Sequence, residues 1–240
     1  MNQSRKVCLF GDTEMIEIAS AMSKMGIDYL GGMVINASDL INGHFSLCHE
    51  KFFTVESKYS TDVEWSDVVT ILKNEQIKPL VVTNFAVQTT EIIDAIILDI
   101  SKTKEIESAS LIDYVNCIKK HQERQLSVIK SMSEAGFDVT VVSDPPFFIK
   151  SEAFIDKSQY VYKYFNALEF LLSEYGIKFI NMALLFNNSI ENVDDYMSVD
   201  VKNDIQYFSG NEKYYAWMVR QIMDDKLIES YWFNSPCICN

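Results

Sequence analysis

The chain has 240 residues, of which 48% are hydrophobic, and a formal net charge of −13. That length and apolar content suffice for one substantial core. The acidic balance excludes a nucleic-acid groove of clustered Lys and Arg and disfavours an anionic membrane surface. With 8 Gly and 4 Pro, no stretch is fit for a flexible linker, so residues 1–240 are expected to form a single domain.

In chain order, Val7-Cys8-Leu9-Phe10 reads as a buried strand that breaks into Gly11-Asp12-Thr13. Met15, Ile18, Ala19, Met22 and Met25 then share one helical face, and Gly26 ends that helix. Ile27 to Leu30 reads as a second short strand closing in Gly31-Gly32, and Met33 to Ser60 as an irregular excursion. Trp65, Val68, Val69 and Leu72 mark a short helix, and Pro79 to Thr83 a buried strand ending at Asn84. Ile92, Ile93, Ile96, Ile97 and Ile100 line the next helix.

Leu111 to Met132 carries a helical stripe that predicts one long helix ended by Gly136. Phe137 to Ser143 is a strand stopped by Asp144-Pro145-Pro146, and Val161, Tyr164, Phe165, Leu168, Leu171 and Leu172 form the cleanest helical stripe, ended by Gly176. Ile177 to Met182 is a fifth strand, Asn187 to Ser209 a polar stretch, and Tyr214, Met218 and Ile222 mark a last helix. Short apolar strands interleaved with helices imply an α/β protein: a three-layer α/β/α sandwich around a mainly parallel five-stranded sheet.

The five cysteines are scattered and odd in number, which fits a reducing compartment. The first residues are too short for a signal core and no apolar run is long enough for a membrane span. The expected location is cytoplasmic. Neither Gly-x-Gly-x-x-Gly nor a P-loop lysine occurs, so no nucleotide cofactor is expected. Asp194, Asp195, Asp200 and Asp204 lack Ca-loop spacing and read as a solvated acidic loop, so no metal is expected either.

Gly11-Asp12-Thr13 after the first strand resembles the Gly-Asp-Ser block of the SGNH, or GDSL, hydrolases, with Thr13 at the serine position. Gly32 stands where that family places a glycine whose N–H helps form the oxyanion hole. Asn84 is the counterpart of its oxyanion-hole asparagine, with Gln88 the alternative if the loop is aligned four residues later. Near the carboxyl end, Asp204-Ile205-Gln206-Tyr207 takes the place of the family's Asp-x-x-His, with Tyr207 at the histidine position. The resemblance implies a flavodoxin-like sheet and action on an acyl or ester group of a small metabolite or carbohydrate, as an esterase or acyltransferase. Thr13 would be the nucleophile, Asp204 and Tyr207 a modified dyad, and Asp12, Gly32 and Asn84 would build the nucleophile loop and oxyanion site.

The two exchanges have chemical consequences. A threonine hydroxyl is a weak nucleophile until a base takes its proton. A tyrosine, with an unperturbed pKa near 10, is a poor substitute for imidazole, and a neighbouring Asp204 would raise it further. His44 and His49, in the excursion after the second strand, are the candidates for a substitute base. His121, on the long helix, reads as a packing or surface residue. Asp144, Pro146 and Phe147, at a strand end, are candidates for a pocket wall. Two other readings stand beside the enzyme: a catalytically inactive SGNH-like protein that keeps the pocket for a ligand or partner, and an unrelated doubly wound protein in which Asp12 or Thr13 only caps a helix.

Overall fold

The computed structural model describes residues 7–33, 45–48, 51–54, 80–85, 87, 89–147, 157–202 and 205–231. Its centre is a parallel sheet of β1 (Val7–Gly11), β2 (Tyr29–Met33), β5 (Leu80–Thr83), β6 (Asp138–Val142) and β7 (Lys178–Ile180), in the order β2-β1-β5-β6-β7. Every pairing in that sheet is parallel, which matches the expected five-stranded α/β architecture. The chain runs outward from β1 to β2, then crosses back to β5 on the other side. That reversal between β1 and β5 makes a crevice at the carboxyl edge, where open α/β sheets hold ligands.

Strand alternation sends side chains to two cores. Cys8, Phe10, Val81, Val139 and Val141 face one layer, made by α2 (Thr89–Ser101), α3 (Leu111–His121), α4 (Glu123–Glu134) and α5 (Ser158–Glu174). Val7, Leu9, Leu80, Val82 and Val142 face the other, made by α1 (Glu14–Lys24), α6 (Met182–Ser189) and α7 (Glu212–Tyr231). Helix ends follow the glycines: Gly26, Gly136 and Gly176 have φ of 67°, 88° and 66°, the left-handed conformation that closes a helix at low steric cost.

Four expectations need correction. The stripe from Leu111 to Met132 is two helices, because Gln122 leaves helical geometry at φ −119° and is both the last cap of α3 and the first of α4. The fifth strand is shorter than expected, since Met182 already opens α6, whose first turn is capped by the Asn181 side chain. The excursion after β2 contains an antiparallel pair, β3 (Phe45–Cys48) with β4 (Lys51–Thr54). The polar stretch holds a second such pair, β8 (Met197–Lys202) with β9 (Ile205–Gly210). The helix expected at Trp65 lies outside the described residues.

Candidate functional site

The loop from β1 into α1 is built around a close approach. A Cβ on Gly11 would stand 2.1 Å from Asn84 Oδ1 and 2.9 Å from Met15 Cγ, so only glycine fits here. In the space this leaves, the Asp12 N–H donates to Asn84 Oδ1 (3.2 Å) and Asn84 Nδ2 donates to Asp12 Oδ1 (2.5 Å). Asn84 is held by its own turn. Val87 N–H donates to its carbonyl, Phe85 N–H donates to the Thr83 hydroxyl, and the Phe85 ring stacks on Phe10 at 4.7 Å. The loops after the two strands at the crevice are therefore clasped to each other.

Asp12 also caps α1: its Oδ1 accepts from Glu14 N–H at 3.0 Å and its carbonyl accepts from Met15 N–H. Burial pushes the Asp12 carboxyl above its ordinary range, opposed by the bonds from Asn84 and Glu14. Thr13 is left with no capping duty. It is exposed, at φ −58° and ψ −28°, and its side chain makes no hydrogen bond to the helix. A free hydroxyl at a helix start, beside the crevice, can meet a ligand.

The next residue was not singled out from the sequence. Glu14 is half-buried, and Tyr215, on the first turns of α7, donates its hydroxyl to Glu14 Oε2 at 2.5 Å. Burial raises the Glu14 carboxyl to about 8, with Asp12, Asp144 and Glu17 adding like-charge repulsion and the Tyr215 bond opposing it. Tyr214 is fully buried, its hydroxyl has no partner among the described residues, and Glu14 and Asp144 both act on its titration. The available signals were an acid directly after Gly-Asp-Thr and a Tyr-Tyr pair opening the last helix.

Thr13, Asn84 and Asp144 follow the carboxyl ends of β1, β5 and β6, as expected of a parallel sheet. Gly32 lies inside β2 opposite Phe10, not in the loop beyond the strand. Asp144 is half-buried, while Pro146 and Phe147 are buried. Phe147 packs edge-on against Phe186 and Tyr214, at 5.3 and 4.9 Å, so it belongs to the core. Tyr207 lies in β9 opposite Asp200. Asp204, Gln88, His44 and His49 lie outside the described residues. His121 sits at the end of α3, with Nε2 2.9 Å from Asp99 of α2, in the helix layer opposite α1.

A cleft of about 320 Å³ opens between α1 and the β9–α7 junction, lined by Glu17, Ser20, Lys24, Ser198, Asn211 and Tyr215 among others. It runs along α1 beyond Thr13, and the Lys24–Glu212 ion pair (3.1 Å) joins two of its lining residues. Among the described residues, no group of three or more His, Cys, Asp or Glu is placed to hold a metal ion, and no helix is long and apolar enough to cross a membrane.

No protein-family model matches the chain, and no curated protein matches it. Solved structures do. A phospholipase A1 from Streptomyces albidoflavus NA297 is 12% identical over 93% of this chain and 100% of its own, with a TM-score of 0.48. A member of the lipolytic protein G-D-S-L family from Veillonella parvula DSM 2008 is 9% identical over 92% and 97%, with a TM-score of 0.44. Est24, a carbohydrate acetylesterase from Sinorhizobium meliloti, is 12% identical over 94% and 99%, at 0.40.

Proposed function

We propose that the chain is an SGNH-like protein acting on an acyl or ester group of a small metabolite or carbohydrate, with Thr13 as nucleophile. The observation that carries this reading is the exposed, uncapped Thr13 hydroxyl at the β1–β5 reversal, beside a loop pinned by Asp12 and Asn84. In the proposed reaction, the Thr13 oxygen attacks the ester carbonyl carbon and its proton passes to a base. The tetrahedral adduct collapses, the alcohol leaves with a proton, and water then hydrolyses the acyl-threonine. Gly32 N–H and the second N–H of the Asn84 carboxamide are the proposed oxyanion donors, and Asp204 with Tyr207 the proposed dyad.

A second reading, a binding protein without turnover, is favoured by two observations. Asn84 is 1% exposed and already committed to Asp12, and the one described histidine is bonded to Asp99 on the opposite layer. Loss of the general base is worth roughly two to four powers of ten in rate. The enzyme reading therefore expects slow hydrolysis of p-nitrophenyl acetate that disappears in Thr13→Ala, and labelling of Thr13 by a fluorophosphonate. Hydrolysis that survives Thr13→Ala rules out Thr13 as the nucleophile, and none above background with no labelling selects the binding reading. If hydrolysis is fast, loss of activity in His44→Ala or His49→Ala identifies the base.

A further inference from the structure

The contact between Glu14 and Tyr215 joins elements 201 positions apart in sequence. It ties the residue next to Thr13 to the start of α7, across the α1–α7 packing. Both partners are fixed independently. Asn211 caps α7 by accepting from the N–H groups of Lys213 and Tyr214, and Asp12 caps α1 by accepting from Glu14 N–H. The side-chain bond therefore spans two anchored helix ends, and any change in it is felt at the first turn of α1.

We propose that Glu14 and Tyr215 form a proton-dependent clasp that positions the Thr13 end of α1, tight while Glu14 keeps its proton and loosened when Glu14 ionises. The proposal rests on the reading above only in giving Thr13 a chemical task; Glu14 and Tyr215 are positioning residues.

The groups facing Glu14 are Asp12 at the β1–α1 junction, Glu17 on its own helix, Asp144 after β6, and Tyr214 and Tyr215 on α7. Three are carboxylates, so a negative charge on Glu14 meets like charges from three directions. Taken alone, ionisation would strengthen the bond from Tyr215, since a charged acceptor makes the stronger hydrogen bond. The N-terminal end of α1 would also favour the charge. Burial and repulsion outweigh both, which is why the carboxyl titrates at about 8 and not near 4.5. The relief open to an ionised Glu14 is to turn toward water, because the residue is only half-buried. Turning out breaks the tie to α7.

The sign follows from linkage. The folded state holds a proton that the unfolded chain releases near 4.5, so stability from this group is complete below pH 4.5 and is lost as pH rises toward about 8. Glu14→Gln keeps an acceptor for Tyr215 and cannot ionise. Using the full chain, the thermal midpoint of the wild type is expected to fall relative to the E14Q variant as pH rises through that window, and to level off above it. Amide exchange at Met15 and Ile16, whose N–H groups donate to the Asp12 and Thr13 carbonyls, gives the local readout. The wild-type to E14Q ratio of exchange rates is expected near one at about pH 6 and several-fold higher at about pH 9. Comparison at equal pH cancels the intrinsic pH dependence of exchange.

Tyr215→Phe is expected to raise exchange at the same two amides already at about pH 6; should that variant fail to fold, E14Q carries the test. An exchange ratio equal at both pH values, a Glu14 carboxyl that titrates near 4.5 by NMR, or a folded Tyr215→Phe variant with wild-type exchange would overturn the clasp. None of these readouts uses turnover. A chain that hydrolyses no ester can still show the clasp, and one that does can lack it.

Discussion

The two faces of the sheet bury comparable side chains by different means. Beneath α2, α3, α4 and α5, Val161, Phe165, Leu168, Leu171 and Leu172 are fully buried against Val81, Val139 and Val141, and shape is nearly all that matters. Beneath α1, α6 and α7, an edge-on aromatic group of Phe147, Phe186, Tyr214 and Trp217 runs up to carboxylates at the carboxyl edge. The first face holds its helices chiefly by packing. The second joins packing to titration, which suits the side that carries Thr13.

The largest effect is expected on the first face. Phe165→Ala should cost about 3–5 kcal/mol, the usual range for deleting a fully buried ring, because Tyr164 and Phe179 flank it and cannot fill the gap. Urea unfolding should show the same loss at acid and neutral pH. A loss that grows with pH would mean that the two faces are electrically coupled.

Next in size is the clasp between the β1 and β5 loops. Gly11→Ala drives a methyl into Asn84 Oδ1 and should cost roughly 1–3 kcal/mol as an overpacking change. Asn84→Ala strips the buried Asp12 carboxyl of a donor and should cost about the same. The two are not additive: with the carboxamide gone, the main obstacle to the new methyl is gone, and the remaining Met15 Cγ belongs to a flexible side chain. Urea midpoints of both single variants and the double variant measure this. An additive result would place the strain of Gly11→Ala on Met15 and not on Asn84.

The first face is legible because its helices need only one apolar stripe each: the stripe from Val161 to Leu172 lies within α5, Ser158–Glu174. Its one failure, Gln122, is a polar residue that keeps the helical period (Ile118, Gln122, Gln125) while the backbone turns, stabilised by a buried bond to the Tyr164 hydroxyl. On the second face, Gly11-Asp12-Thr13 and Asn84 are visible as strand ends because glycine and asparagine punctuate apolar runs. The Glu14–Tyr215 bond is not visible, since no local period relates residues so far apart. The β8–β9 pair had a signal: Met197, Val199 and Val201 alternate with Ser198, Asp200 and Lys202. The acidic residues around it, and Val199 lying 46% exposed, make it resemble a loop.

A smaller effect belongs to the rim of the first face. Ser110 caps α3 in a reciprocal box, accepting from Asp113 N–H while the Asp113 carboxylate accepts from Ser110 N–H. Ser110→Ala should cost about 1 kcal/mol, as cap removals do, and should leave exchange at Met15 and Ile16 untouched. Altered exchange there would show that the two layers communicate through the sheet.

The smallest expected change in stability is at Thr13, and its smallness is the point. If the hydroxyl capped α1, Thr13→Ala would cost about 1 kcal/mol, like the Ser110 replacement. The cap is Asp12, however, and the Thr13 side chain is exposed without a bond to the helix. Alanine is also the better helix former at the edge of α1. Thr13→Ala should therefore shift the urea midpoint by no more than about 0.5 kcal/mol equivalent in either direction. A near-neutral change in folding combined with loss of ester hydrolysis or of fluorophosphonate labelling separates a chemical hydroxyl from a structural one. A loss near 1 kcal/mol would return Thr13 to the helix cap, and the β1–β5 crevice would then have to find its reacting group elsewhere.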